Sequence, residues 1–247
     1  MGPVELIILV AGLAAAGIAK GISGMGLPLI ATPILAGVFG ARMAVTIVTI
    51  PIFAANSLLL TQGLRQRGLL RGLTPFLAAS MVGTAFGTLL LAQLDQKVFA
   101  ILIAAMVVIF LAGGDRLLGN DPAALRARVL GPVVCFVGGI LQGTTSIASP
   151  LVGSYFHAQR LRPSDFVFVL AAMFELNSVV QLIGYSLQGL YTREVVALGL
   201  VAVVPTLLAL AAGIYFRGRL DVVWFRRFIV ALVVVSVINL LWRTFAT

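Results

Sequence analysis

The residues best suited to hold an anion stand together at Lys20-Gly21-Ile22-Ser23-Gly24-Met25-Gly26, directly after the largely apolar run Val4–Ala19. A lysine at the centre of a membrane helix costs about 2.5–3.5 kcal/mol and normally faces a cavity or a partner. In a cavity the Lys20 ammonium would serve as a point charge for an anion. The other reading is that the helix ends at the interface and Lys20 snorkels; the short run and the glycines after it favour the cavity. Gly21, Gly24 and Gly26 let the backbone turn and bring N–H groups close to a ligand. Pro28 suits the first turn of a following helix, whose N-terminus would add partial positive charge and free N–H donors. Ser23 would supply a hydroxyl.

The stretch has an echo 122 positions later, Gln142-Gly143-Thr144-Thr145-Ser146-Ile147-Ala148, and Pro28-Leu29 recurs as Pro150-Leu151. Thr144, Thr145, Ser146 and Ser149 offer further hydroxyls. We read two matched helix breaks that face each other near the membrane midplane and hold a small anion between them. Close helix packing by small residues is the alternative. Phe53–Ser57 matches Phe174–Ser178 at an offset of 121, and Leu94-Asp95 with Phe99 matches Leu220-Asp221 with Phe225 at 126. Asn56 and Asn177 thereby occupy corresponding places, with Gln62 and Gln181 a turn or two beyond. Such amides either line the site or bond across helices. Glu175 is the only carboxylate well inside an expected span. It is a candidate for proton coupling, or else an ion-pair partner of Lys20 or of an interface arginine.

Composition decides the setting. The chain is 61% hydrophobic and 10% charged, with a mean hydropathy of +1.13, against about 25% charged residues in soluble domains. This is an all-α polytopic membrane protein, placed in the cytoplasmic (inner) membrane. Turn signals give ten segments, roughly Val4–Ala19, Leu27–Phe39, Ala44–Thr61, Leu73–Leu94, Val98–Gly113, Val129–Leu141, Pro150–Phe156, Phe166–Leu187, Val195–Phe216 and Val222–Leu241. The first begins near Met1 without a basic lead, so it is expected to be structural and not a signal peptide. Basic residues at alternate segment ends, Lys20 apart, divide twelve against four. Arg65, Arg67, Arg71, Arg116, Arg126, Arg128, Arg160, Arg162, Arg217, Arg219, Arg226 and Arg227 fall on one side; Arg42, Lys97, Arg193 and Arg243 fall on the other. The positive-inside rule then puts the first set in the cytoplasm and both termini outside. The net charge of +9 is thus a topology signal, and nucleic acid is not an expected partner. An odd segment count per half makes residues 1–118 and 129–247 inverted repeats, joined by a cytoplasmic linker at 119–128. Broken or re-entrant short helices at such a repeat interface are a transporter architecture.

Gly21-Ile22-Ser23-Gly24-Met25-Gly26-Leu27-Pro28 resembles the glycine-rich stretch ahead of a proline in the TauE/SafE sulfite and organosulfonate permeases, and the resemblance extends over both halves. Gln142–Ser146 departs from the glycine-rich form usual there. The resemblance implies transport of a sulfur-containing anion, sulfite or a sulfonate such as sulfoacetate, often outward. It also implies fewer spans than ten, so that some short segments re-enter.

The remaining residues point to no catalysis. Gly21-Ile22-Ser23-Gly24 fits a G-x-S-G serine-protease pattern, but a serine nucleophile needs a base within hydrogen-bond reach. The sole histidine, His157, is expected in a solvated cytoplasmic loop. Cys135 is the only cysteine, so neither a disulfide nor a metal cluster is expected, and no cofactor. Asp165 reads as a helix cap or loop partner, and Trp224 and Trp242 as interface anchors. Moving one negative charge out of a negative-inside cell gains about 2.3 kcal/mol per 100 mV, so export needs no ATP site. The expectation is a secondary transporter exporting a small sulfur-containing anion by alternating access. An anion channel and a proton-coupled uptake permease are the alternatives. Its partners are the small anion and membrane lipid. A homodimer is compatible with the sequence and unsupported by it.

Overall fold

In a chain this apolar, glycine and proline set the helix ends, and long helices with short turns result. The structure is a computed structural model that describes residues 2–111, 130–217 and 222–245. Among the described residues there is no strand. The order is α1 (Pro3–Ser23), α2 (Leu27–Phe39), α3 (Ala41–Gln62), a 3-10 turn (Leu64–Leu69), α4 (Leu70–Gln93), α5 (Gln96–Leu111), α6 (Leu130–Thr145), a π-helical turn (Ser149–Gly153), α7 (Ser154–Ala158), α8 (Pro163–Leu187), α9 (Arg193–Phe216) and α10 (Val222–Phe245). The first, third, fourth, eighth and ninth helices are each long and apolar enough to cross a membrane. The protein is an all-α polytopic membrane protein. The expected segment Pro150–Phe156 is a π-helical turn followed by a five-residue helix. The linker 119–128, Arg116, Arg126, Arg128 and Arg219 lie outside the described residues, as do the side chains of Trp224, Arg226 and Arg227.

The helix ends sort into two groups. At one end Gly63 abuts Phe168, the His157 ring meets Phe166 at 6.1 Å, and Arg217 donates to the carbonyl of Gly21. Arg65, Arg67, Arg71, Arg160 and Arg162 belong to these turns. At the other end Arg42 donates to the carbonyls of Ala92 and Leu94, and Lys97 lies 5.9 Å from the Phe245 ring. A cavity of about 570 Å³ opens there between Gly40, Leu94, Asp95, Leu190 and Glu194. For the basic residues that are described the grouping matches the charge count, and the described start and finish of the chain share the arginine-poor end.

This sorting shows that the short segments turn back. α1 runs parallel to α9 toward the arginine-rich end, and α2 returns to Gly40 at the arginine-poor end. α6 starts at the arginine-rich end beside Phe76. The chain then returns there through the π-helical turn and α7, where Tyr155 reaches back to Gly131. Each half therefore opens with a helical hairpin that finishes at the end from which it started.

Glycines draw two helix pairs into backbone contact. A Cβ on Gly17 of α1 would lie 2.7 Å from the Thr206 carbonyl of α9, and one on Gly21 would overlap the Leu210 carbonyl. In the other half Gly139 and Gly143 of α6 stand against the carbonyls of Ser80 and Thr84 of α4 in the same way. Gly17 to Gly139 and Gly21 to Gly143 are both 122 positions; Ser80 to Thr206 and Thr84 to Leu210 are both 126. The first helix of each half thus clasps the fourth helix of the other. The outward faces carry the large apolar residues, among them Phe86 and Leu89 on α4, Leu200, Val204 and Leu208 on α9, and Trp242 on α10. This is the pattern that lipid demands.

Candidate functional site

The chain leaves helix at Gly24–Gly26 and at Ser146–Ala148, and the two breaks are built alike. Gly24 adopts φ 81° and Ser146 φ 59°, both left-handed. Gly24 N–H donates to the Lys20 carbonyl at 2.7 Å, and Ser146 N–H to the Gln142 carbonyl at 2.8 Å. Ser23 Oγ donates to the Ala19 carbonyl and accepts from Met25 N–H. Thr145 Oγ1 donates to the Leu141 carbonyl and accepts from Ile147 N–H. After the breaks, Ile30 N–H returns to the Gly26 carbonyl and Val152 N–H to the Ala148 carbonyl. Every pair is separated by 122 positions. A left-handed serine is strained where glycine is not. Here Gln181 Nε2 reaches the Ser146 hydroxyl at 3.1 Å and fixes it.

α8 measures the spacing of the breaks. Val167 fills the space where a Gly24 side chain would go, and Gln181 holds Ser146. These contacts are fourteen residues apart, about 21 Å at 1.5 Å per residue. The breaks therefore do not face each other at one level, as the sequence led us to expect. Each follows the end of the long helix it clasps, and those ends lie on opposite sides. The two hairpins touch where Met25 Sδ lies against Gly153.

Between the breaks lies a buried polar layer. Ser57 Oγ of α3 donates to Glu175 Oε1 of α8 at 2.5 Å, while Glu175 Oε2 is buried without a partner. Asn177 Nδ2 donates to Ser80 Oγ at 2.8 Å, and its Oδ1 is unpartnered. Asn56 is fully buried, and neither its amide oxygen nor its nitrogen has a partner. Lys20 points into this layer from α1. It is 1% exposed, and among the described residues nothing forms a hydrogen bond or ion pair with its ammonium. The Glu175 carboxylate is the charge whose field reaches it. A buried polar group without a partner costs about 1–3 kcal/mol, so several in one layer mark a place built for something other than stability. Lys20 is inside the protein and does not snorkel.

The second break is occupied differently. The side chains of Gln142 and Gln181 bond to each other at 3.2 Å, and Gln181 Nε2 lies 2.8 Å from the Gln142 carbonyl. It also lies 2.9 Å from Tyr185 Oη, which donates to the Gly143 carbonyl at 2.7 Å. Thr49 Oγ1 approaches Ser146 Oγ at 3.5 Å. This network joins α3, α6 and α8 and satisfies itself.

Together these features make up, among the described residues, a buried polar layer with one buried cation between two broken hairpins. A family model, described as sulfite exporter TauE/SafE, matches residues 8–240. The chain belongs to the TauE/SafE family. No curated protein and no solved structure matches it. The family is one of transporters, so the TauE/SafE protein described here is an integral membrane protein of transporter type.

The remaining expected site residues divide by environment. The hydroxyls of Ser23, Thr144 and Thr145 all donate to main-chain carbonyls. Gly21 and Gly143 are occupied by helix contact, and Gly24 by Val167. Gly26, at φ 96°, has nothing within 4 Å of where a side chain would start. Ser149 Oγ is buried and unpartnered. Gln62 is exposed on the last turn of α3, and Asp165 lies in the first turn of α8. His157 is exposed, as expected, but sits on α7 instead of a loop. Ser57, Ser80, Thr49 and Tyr185 were not singled out from sequence. Ser57 follows Asn56 inside the repeated Phe53–Ser57 stretch, and Tyr185 is one helical turn from Gln181, which were the available signals.

Proposed function

We propose that this TauE/SafE protein is a secondary transporter that carries sulfite or a sulfonate outward across the cytoplasmic membrane, holding it at Lys20 in the buried layer between the two breaks. The observation that carries the reading is the Lys20 ammonium, buried at a helix break with no hydrogen-bond or ion-pair partner among the described residues. The Asn56 amide nitrogen and the Ser149 hydroxyl supply unpartnered buried donors for the oxygen atoms of such an anion. A tetrahedral or pyramidal oxyanion takes several hydrogen bonds from different directions, and charge-assisted bonds are the stronger ones.

In this reading residues 1–118 and 129–247 are inverted repeats. The exchanged clasps, α1 with α9 and α6 with α4, support a two-fold relation between them. Rocking of one hairpin and its clasped helix against the other would open the layer alternately to either end, with the arginine-rich end in the cytoplasm. A second reading, proton-coupled uptake, is favoured by one observation: Glu175 lies in the same layer and acts on Lys20.

The test is thermal stabilisation of the detergent-solubilised protein by sulfite, sulfate, thiosulfate, sulfonates and carboxylate analogues. A ligand stabilises the state it binds in proportion to the logarithm of its concentration over Kd. Selective stabilisation by sulfite or sulfonates, lost in Lys20→Ala, is the expected result. Equal stabilisation of Lys20→Ala would remove Lys20 from the site.

A further inference from the structure

We propose that the arginine-rich end carries a site for one anionic phospholipid, with its phosphate between Arg71 and Arg160 and an acyl chain in the groove below them. The groove, about 350 Å³, lies open between the start of α4 and the turn from α7 into α8. Leu69, Leu73 and Phe76 form one wall, spaced three or four residues apart and therefore on one helix face. Phe156 and Leu161 stand across from them. At the deep end the Phe76 ring lies 6.3 Å from the rings of both Tyr155 and Phe156. Leu69 to Phe76 covers about 10 Å of helix axis, a depth that takes in the boundary between headgroups and acyl chains.

Positive charge flanks the mouth of this groove. Arg71 lies between Leu69 and Leu73 in the chain, Arg160 lies between Phe156 and Leu161, and Arg162 follows. All three are exposed, and among the described residues no hydrogen bond or ion pair holds their guanidinium groups. Asp165, in the first turn of α8, is the only acid at this end among the described residues, so the mouth is net positive. Arg217 is committed to the Gly21 carbonyl. Arg65 and Arg67 stand on the 3-10 turn, where no residue from Leu64 to Gly68 lines the groove.

Apolar depth beneath a cationic rim fits an amphiphile with a negative head. Topology explains why arginines gather at this end; it does not explain an uncovered apolar groove between them. Ordered water needs about two to four polar partners, which walls of leucine and phenylalanine do not provide. Arginine binds phosphate through paired N–H donors, and basic pockets between membrane helices take phospholipid headgroups. Each arginine beside an anionic head contributes about fivefold in affinity. The groove is separate from the Lys20 layer and does not depend on what that layer binds.

The experiment follows Tm of the detergent-solubilised full chain against added dioleoylphosphatidylglycerol, dioleoylphosphatidylcholine and glycerol 1-phosphate. Phosphatidylglycerol is expected to bind at least tenfold tighter than phosphatidylcholine, and glycerol phosphate is expected not to stabilise the protein at the same concentrations. The preference for the anionic lipid is expected to disappear in the double variant Arg71→Gln with Arg160→Gln. It is expected to survive in Arg65→Gln with Arg67→Gln, which removes the same charge from the same end. Equal affinity for the two lipids would overturn the inference. Equal loss of preference in both double variants would also overturn it, as general attraction of an anionic surface to a basic end. Stabilisation by glycerol phosphate as strong as by the lipid would assign the arginines to free phosphate and remove the acyl chain from the groove.

Discussion

Gln142 stands in the second helix break where Lys20 stands in the first, and the two are in opposite states. Both main-chain carbonyls cap a left-handed residue. The Gln142 amide is bound to Gln181, whereas the Lys20 ammonium has no hydrogen-bond or ion-pair partner among the described residues. The side chain at this position is tied down in the second break and unpaired in the first.

Asn56 tests whether the buried polar layer is functional. Both polar atoms of its amide are buried and unpartnered. Replacing an unsatisfied buried polar group by an apolar one of similar shape is neutral or stabilising. Asn56→Leu is expected to keep or raise Tm while weakening methanesulfonate binding at least several-fold. Unchanged binding would make Asn56 a passive core residue.

Tyr185 belongs to the network at the second break. Tyr185→Phe leaves the Gly143 carbonyl without its donor and removes a contact of Gln181. The expected loss is about 1–3 kcal/mol of stability, read as a lower Tm. The preference among anions is expected to stay as in the wild type, since no charge changes.

Glu175 separates the transport modes. Glu175→Gln keeps an acceptor for Ser57 and removes the ionisable group. Any pH dependence of methanesulfonate transport is expected to vanish in this variant, because the substrate itself does not titrate near neutrality. A surviving dependence would make Glu175 structural.

The glycine clasps predict a matched pair of effects. Gly17→Ala and Gly139→Ala each put a methyl into a facing carbonyl, an overpacking cost of about 1–3 kcal/mol. Both should lower Tm by similar amounts. Gly72→Ala, with nothing within 4 Å, should not.

The sequence carried the breaks and their repeat, because a left-handed cap, a proline and a run of small residues leave local marks at fixed spacing. It carried the grouping of the arginines for the same reason. It did not carry the stagger of the breaks, which depends on how far each hairpin reaches before α8 meets it. Nor did it show that the hydroxyls of Ser23, Thr144 and Thr145 turn back to their own helix. Serine and threonine in helices find a carbonyl one turn earlier, so hydroxyl clusters overstate the donors available to a ligand. The Gln142–Gln181–Tyr185 network joins residues 39 to 42 positions apart, beyond what spacing can reveal.

The most direct test of the Lys20 site is counterflow in proteoliposomes loaded with unlabelled methanesulfonate, measuring entry of labelled methanesulfonate through wild-type and Lys20→Ala protein of equal Tm. The account predicts saturable counterflow in the wild type and its loss in Lys20→Ala. Wild-type rates in Lys20→Ala would contradict it.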